Sequence, residues 1–471
     1  MNPDTLARFA KDDLIALILA QAEVIARQTA QIEALTKQID MLMKRVKALE
    51  AELGKPPKTP DNSSLPPSQG HKPDRAERRA GKKRKGHPGA FRQLSETPDR
   101  VVETLAAACP HCDHALCAAD QSEFHAYDHI DLPPIKPVVT RVHRHRGICP
   151  CCRRGFSAPC PEGMAPGSPF GPGLAALILH LHVTQAISFE RLARLMDEVF
   201  GVTISEGAPG LRRGRLANLL ARAEAPMIIA AEKIAEEVRS SPVVASDETS
   251  ARVKGKTWWQ WVLLSSTAVY HVIADSRGAK VVIDFLQGAV PEVWVADRYA
   301  GQNGHGIERQ LCLAHLLRDS QYAIDEGDTA FAPGFKLLLL RAVAIGRRRE
   351  TLKDSTLVQY RADLDRRLTR LLGQPPTNSA GRKLARAIRK CRNDLFVFLT
   401  RRDVPYTNNG CERALRPSVI FRKVTGCFRS HWGARLYAAA ASVIATGRLN
   451  GKSALQAIQD VIAAQPAAVI P

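Results

Sequence analysis

Residues 243–275 read VVASDETSARVKGKTWWQWVLLSSTAVYHVIAD, and residues 292–297 read EVWVAD. Within them VVASD, TWWQWVLLSS, AVYHVIAD and EVWVAD are short β-branched and aromatic runs, the composition of strands. GAKVVIDFLQG (278–288) lies before the fourth run and IERQLCLAHLLRDSQYAI (307–324) after it, both with helical character. Three strands, a helix, a fourth strand and then helices predict a mixed sheet with helices packed on its faces. Asp247 closes VVASD and Asp297 closes EVWVAD, so each is expected at a strand end facing a loop. One acid in such a place is usually a cap or a turn former. Two of them, flanking a three-strand-plus-helix unit, point further.

Rigidly held carboxylates are what phosphodiester chemistry with two divalent ions requires, the ions standing ~4 Å apart and taking hard oxygen ligands. Mg²⁺ or Mn²⁺, two per site, is the cofactor expected for such a set. Glu248 and Asp275 are rival ligands; Glu248 points to the face opposite Asp247 if the strand continues. A third acid must come from further on. TNNGCERALRP (407–417) offers Glu412 after the turn signal Asn408-Asn409-Gly410, at an apparent helix start. Arg413, Arg416, Arg422, Lys423 and Arg429 follow it, a basic surface suited to a DNA end. Among so many cations Glu412 has a second reading, as a salt-bridge partner.

The chain has 471 residues, more than one ordinary core accommodates, so three or more modules are expected. The formal net charge is +20, which calls for a polyanionic partner, nucleic acid ahead of an anionic membrane. No apolar run approaches the ~20 residues that span a bilayer. Leu14 to Ala20, behind Lys11, Asp12 and Asp13, is too short and wrongly flanked for a signal peptide. A cytoplasmic protein with reduced thiols is therefore expected, the C-x-x-C pairs among its 11 cysteines fitting metal better than disulfides.

Residues 14–53 carry a heptad. Ile18, Ile25, Ile32, Ile39, Val46 and Leu53 share one seam position, and Leu14, Gln21, Gln28, Leu35, Leu42 and Leu49 share the other. Ile at a with Leu at d predicts a parallel two-stranded coiled coil, hence a homodimer or larger assembly. The bland reading is one amphipathic helix packed on its own chain. A Pro/Ser-rich linker follows, and then RAERRAGKKRKGHPGAFR, in which Lys82, Lys83, Arg84 and Lys85 are candidate phosphate contacts; a solvated tail is the alternative.

Cys109-Pro-His-Cys112 and Cys149-Pro-Cys-Cys152 are two C-x-x-C knuckles 36 residues apart, and their thiolates suit one structural tetrahedral Zn²⁺. His111, His114, Cys117, Cys151 and Cys160 are reserve ligands. EFHAYDHIDL and VVTRVHRHRG are expected to form hairpins between the knuckles. Arg144 and Arg146 beside the second knuckle are candidate DNA contacts. From 169 to 223 two helical runs separated at Gly201, with Ser205 as a cap and Arg212, Arg213 and Arg215 nearby, fit either a helix-turn-helix or a packing hairpin.

Taken in order, the coiled coil, PDNSSLPPS, the two knuckles, DETSARV, KTWWQWV, SRGA, ADRYAGQN, CLAHLLRDSQ and TNNGCERALRPSVIFRKVTGCFRS resemble transposases of the insertion-sequence-66 family along nearly the whole chain. The resemblance implies a DDE transposase with an RNase H-like core. It maps Asp247, Asp297 and Glu412 to the three catalytic acids and puts a helical insertion among the 114 residues between Asp297 and Glu412. It also implies transposon ends and target DNA as partners, with small companion proteins of the same element. Cys312 and His315 match the family's C-x-x-H, read as packing rather than a metal pair. One departure is Arg298, where many members carry Gly.

The expected fold is multidomain α+β. A coiled-coil helix spans 1–55, a basic linker 56–100, a zinc module 101–162 and a helical, possibly helix-turn-helix, region 163–235. A catalytic core spans 236–433 with its insertion at about 326–405, and a helical end spans 434–471. The competing functions are a DNA-binding regulator or inactive copy, a nuclease that cuts without joining and, more weakly, a serine recombinase through Ser246.

Overall fold

A computed structural model of the chain describes residues 10–53, 92–121, 123–164, 169–205 and 215–464, with Thr59 and Asn62. In chain order the elements are α1 (Lys11–Leu53), β1 (Arg146–Ile148), β2 (Gly155–Ser157), α2 (Pro172–Gln185), α3 (Phe189–Phe200) and α4 (Arg215–Arg239). Then come β3 (Val243–Val253), β4 (Lys256–Leu264), β5 (Val269–Ala274), α5 (Lys280–Leu286), β6 (Val293–Ala296) and β7 (Glu308–Leu311). The chain ends with α6 (Leu313–Asp325), α7 (Phe331–Arg347), α8 (Asp354–Leu372), α9 (Ser379–Lys390), α10 (Asn409–Thr425), α11 (His431–Leu449) and α12 (Ala454–Ala463). Two compact units result: residues 1–70 with 313–402, and residues 71–312 with 403–471.

The second unit is built on a five-stranded sheet of order β5-β4-β3-β6-β7. Lys254 and Gly255 both hold left-handed backbone, φ 50° and 76°, the paired positive angles of a two-residue hairpin turn. On that turn β4 folds back antiparallel to β3, and β5 follows antiparallel to β4. After α5 the chain enters β6 parallel to β3, and then β7 parallel to β6. Val244, Trp261, Leu263, Trp294 and Ala296 pack on one side with Val282, Phe285 and Leu286 of α5 and the end of α4. A larger cluster joins Ala251 and Val253 of β3 to α2, α3, α4, α10, α11 and α12. Both faces are thus covered, as parallel strands require.

Three expectations are corrected. The strand that begins VVASD does not stop at Asp247 but runs on to Val253, because DETSARV pairs with β4 down to the hairpin turn. Beyond β4 this stretch meets only a short bridge of Val253 to Phe428, and its alternation of small polar and apolar residues lacks the apolar run that marks the first half. Second, Glu308–Leu311 is a strand and the helix starts only at Leu313. Third, Glu123–His145 contains no strand, and the hairpin at the second knuckle is only β1 with β2.

Ser205, the expected cap, accepts from the start of α4: its carbonyl takes Leu216 N–H at 3.1 Å and its hydroxyl takes Arg215 N–H at 3.4 Å. Arg212 and Arg213 lie outside the described residues. Leu216, Leu220, Ala223 and Met227 bury one stripe of α4.

In the first unit α1 is a single 43-residue helix, while α6–α9 pack around Phe331, Phe335, Leu338, Leu364, Leu368 and Leu384. Asn62, from the Pro/Ser linker, is buried at 5% exposure and donates to Asp325 at 3.0 Å. That contact anchors one point of a segment read as extended linker.

Candidate active site

Register places the two aspartates. Val243, Val244 and Ala245 of β3 stand beside Val293, Trp294 and Val295 of the parallel β6. Two residues further along are Asp247, within β3, and Asp297, just past the end of β6, so the two acids stand level with each other on neighbouring strands. Directly opposed residues share a face of a sheet. Asp247 opposes Val262 and Glu248 opposes Trp261, so Asp247 lies on the face of Gln260 and Val262, and Glu248 on the α5 face with Trp261.

Glu412 arrives on α10, whose start is tied to β3. Asn408 Nδ2 donates to Ser246 O at 2.7 Å, and Asn408 N–H donates to Cys312 Sγ at 3.1 Å. Deeper in the helix, Gln260 Nε2 donates to Ser418 Oγ at 2.8 Å and meets His271 Nδ1 at 3.2 Å, while Tyr437 OH donates to Ser418 Oγ at 3.1 Å. Burial pushes His271 down to about 4, so the ring stays neutral and needs no counter-ion. These bonds join β4, β5, α10 and α11 and fix the face on which Glu412 stands. Cys411 beside it is fully buried. Burial raises its thiol, and Asp247, Cys312 and Glu412 raise it further, so carboxylates from β3 and from α10 both bear on it.

The opposite face holds a brace. The Glu248 side chain, 2% exposed, accepts from Arg277 NH2 at 2.8 Å and Nε at 3.0 Å. Gln302 Nε2 donates to its other oxygen at 2.8 Å, and Gln302 Oε1 accepts from Trp294 Nε1 at 3.1 Å. The Arg277 guanidinium lies 4.7 Å from the Trp259 ring centroid and 4.0 Å from that of Tyr299. Tyr299 closes the circuit: its N–H donates to Asp297 Oδ1 at 2.8 Å and its hydroxyl to Arg277 O at 3.1 Å. Burial raises the Glu248 carboxyl, Gln302 and Arg277 lower it, and the Asp297 charge raises it. The loop after β6 is therefore held from behind by a buried acid, an arginine and a glutamine.

Residues 167–436 match the family model described as Transposase IS66 family, more than half of the 471-residue chain. The chain belongs to that family. No curated protein matches it. A transposase works on DNA, so the family supplies the polyanion that the +20 charge calls for. Among the described residues no helix is long and apolar enough to cross a membrane.

In this family member the donor chemistry of Asp247, Asp297 and Glu412 is all oxygen, as hard divalent cations require. The sheet sets the two aspartates side by side and α10 brings Glu412 to the face that Asp247 occupies. The three are not closed into one coordination set: among the described residues no three His, Cys, Asp or Glu stand close enough to hold an ion. Asp275 is exposed at the end of the edge strand β5, with β4 between it and β3.

The two cysteine knuckles are wound alike. Cys109 N–H donates to His114 O and Asp113 N–H to Cys109 O; Cys149 N–H donates to Arg154 O and Arg153 N–H to Cys149 O. Asp113 and Arg153, at matching places, both take positive φ, 57° and 58°. The His111 N–H, the Cys112 thiol and the Cys112 N–H hold Cys109 below the usual thiol range; the N–H groups of Cys152 and Cys151, with the Cys152 thiol, do so for Cys149. Each knuckle thus sets two thiols on one turn, Cys109 with Cys112 and Cys149 with Cys152. The four are not gathered into one set.

Of the expected DNA contacts, Arg413, Arg416 and Lys423 are exposed on α10, and Arg146 on β1. Arg144 is exposed and donates to Ala158 O at 2.5 Å. Arg422 is committed to β3, donating to Thr249 Oγ1 at 3.1 Å and Ser250 Oγ at 3.2 Å. Lys82, Lys83, Arg84 and Lys85 lie outside the described residues. Sequence reasoning missed Arg277, Gln302, Asn408 and Gln260 as site-building residues. Their signal was present for all four, since SRGA, ADRYAGQN, TNNGCERALRP and KTWWQWV hold Arg277, Gln302, Asn408 and Gln260.

Proposed function

We propose that the chain is a DDE-type transposase that binds insertion-sequence ends, cuts them and joins the freed strand to target DNA. The observation that carries this is the register of two adjacent parallel strands, which sets Asp247 within β3 level with Asp297 just past β6, beside a helix start pinned to Ser246. In this reading the five-stranded sheet is an RNase H-like core. Two Mg²⁺ or Mn²⁺ ions, held by Asp247, Asp297 and Glu412, would supply Lewis acidity at the phosphoryl oxygen and activate a water or 3′-hydroxyl. The chain's own contribution is positioning. Ladder pairing fixes Asp247, the Tyr299 N–H orients Asp297, and the Asn408 clamp with the Gln260–Ser418 bond sets α10. Arg413, Arg416 and Lys423 meet DNA phosphates, and Arg144, Arg146 and the 82–85 run add further contacts. Water and then DNA are the nucleophiles, so no covalent protein–DNA intermediate forms.

The test is incubation of end-bearing DNA with purified protein and Mg²⁺ or Mn²⁺. Nicked 3′ ends followed by joined products are expected. A folded protein that binds ends and never cuts them makes the chain a DNA-binding regulator, and cutting without joining makes it a nuclease. Cytoplasmic location in a bacterium and companion proteins of the same element belong to the same reading.

Zinc has its own readout. One Zn²⁺ per chain, held by Cys109, Cys112, Cys149 and Cys152, is expected by elemental analysis, with loss of metal in Cys109→Ser and Cys149→Ser. Such a small module buries little, so its thermal transition should vanish on chelation. Metal-free protein with native thiol protection would contradict the assignment.

α1 is assigned to self-association. Ile18, Ile25, Ile32, Ile39 and Val46 are 53–65% exposed along one seam, with Leu35 and Leu42 at 57% and 62% on the other. The Leu14, Leu49 and Leu53 side chains lie outside the described residues. Ile32→Asp should weaken the dimer roughly 10²-fold, since each chain loses one buried Ile worth ~1.5 kcal/mol or more. Sedimentation equilibrium reads this directly, and a wild-type monomer at every concentration would refute it.

A further inference from the structure

We infer that α8 and α9 of the helical unit form a second DNA-contacting surface, one that grips duplex DNA of any sequence through its phosphates. It rests on the reading that the chain acts on DNA, and it adds a face remote in sequence from the zinc module and α10. Residues 366–393 hold nine Lys or Arg and no Asp or Glu. Of these nine, Arg367 pairs with Asp363 at 2.9 Å; outside the run, Arg341 pairs with Asp363 at 3.1 Å and Arg402 with Asp354 at 2.7 Å. Arg366, Arg370, Arg382, Lys383, Arg386 and Lys390 are all exposed. Among the described residues, none of the last four forms a salt bridge within the chain.

The burial pattern sets the direction of this face. Gly381, Leu384, Ala385 and Ile388 form the inner stripe of α9, so the helical period turns Arg382, Arg386 and Lys390 outward together. Arg389 and Arg392 hold α9 against the end of α8, donating to Leu372 O at 2.5 Å and Thr369 Oγ1 at 2.8 Å. Arg366 and Arg370, one turn apart, belong to that end of α8.

Helix stabilisation does not account for the charge. Cations favour a helix C-terminus, which explains Arg389 and Lys390. The start of α9 favours carboxylates, and its first turn has none, while Arg382 and Lys383 follow at once. Their mutual repulsion is a cost to the isolated protein that a polyanion removes. The 12 residues of α9 extend ~18 Å at ~1.5 Å per residue, about five phosphates of one strand at ~3.4 Å of rise. That length and the absence of any acid fit a DNA backbone better than an acidic protein, which offers fewer charges at irregular spacing.

The test is the salt dependence of random-sequence duplex binding by the full chain. Arg386→Glu with Lys390→Glu is compared with Arg347→Glu and Lys353→Glu, exposed cations of the same unit outside this face. Both pairs change net charge equally, so long-range attraction falls alike. The α9 pair should lower the slope of log K against log salt by about 2, at ~0.9 per lost phosphate contact, while the control pair leaves it unchanged. Equal slopes for the two variants, or a wild-type protein that does not bind random duplex, overturn the surface. Should the reversed pair unfold by circular dichroism, Arg382→Gln and Arg386→Gln read the same slope with less perturbation. End cleavage, assayed in parallel, judges the catalytic reading separately: cutting that persists with an unaltered α9 slope removes this surface and leaves the reaction standing.

Discussion

Asp297→Asn gives a folded protein that still binds ends and cleaves them about 10³-fold more slowly or worse, the ~4 kcal/mol scale of removing one preorganised charged group from a reacting centre. Asn is nearly isosteric, and its Oδ1 still accepts the Tyr299 N–H that Asp297 receives at 2.8 Å. The loop should therefore keep its shape, and what disappears is charge. Asp247→Asn and Glu412→Gln are expected to behave alike, because acids that serve one pair of ions act as a unit and their losses do not add. A double variant should fall no further than a single one. Single-turnover cleavage with end binding measured in the same samples decides it. An Asp297→Asn protein cutting at the wild-type rate ends the catalytic assignment, and one that no longer binds ends shows that the acid is structural.

Which parts were legible in the sequence follows from how local their determinants are. The apolar runs of β4, β5 and β6 announce themselves because buried strands must be β-branched and aromatic. So do both C-x-x-C knuckles, whose turns are closed within five residues, as the Cys109–His114 and Cys149–Arg154 bonds show. The second half of β3 was hidden, since Glu248, Thr249, Ser250 and Arg252 are polar and only Ala251 and Val253 are apolar, too few to mark a strand. β7 was hidden because Glu308–Leu311 is four residues long and adjoins a true helix. Glu248 shows the same limit at the site. Its alternation with Asp247 predicts the face it takes, but its partners Arg277 and Gln302 lie 29 and 54 positions away and are chosen by the fold. Glu412 was located by its helix-start context and by resemblance. Neither reveals the Asn408–Ser246 bond across 162 residues that holds its helix to β3.

The brace behind Asp297 yields the second large effect. Arg277→Ala should slow cleavage about 10²-fold although no metal-binding acid is touched, because a displacement near 1 Å at the reacting centre costs that much. It should also destabilise the unit by about 2 kcal/mol. A fully buried pair broken on one side loses ~3–5 kcal/mol, and the Arg277 side chain is 42% exposed, so solvent returns part of that. Arg277→Lys should recover little, since an ammonium cannot reproduce two N–H donors to Glu248 Oε1 while packing between the Trp259 and Tyr299 rings. Adding Glu248→Gln to Arg277→Ala should restore most of the stability, because the stranded buried charge is gone. The pH dependence separates this from generic damage. Burial raises the folded Glu248 carboxyl above its unfolded value, so the native state binds that proton more tightly. Its stabilisation is whole below the ordinary glutamate range and is lost as pH climbs through the raised value. Wild-type stability therefore declines over that interval from acid towards neutral, and Glu248→Gln flattens the decline. Denaturant melts at a series of pH values, read beside cleavage rates, test both halves. A Glu248→Gln protein with the wild-type pH profile, or an Arg277→Ala protein with wild-type cleavage, would mean the brace does not hold the loop that carries Asp297.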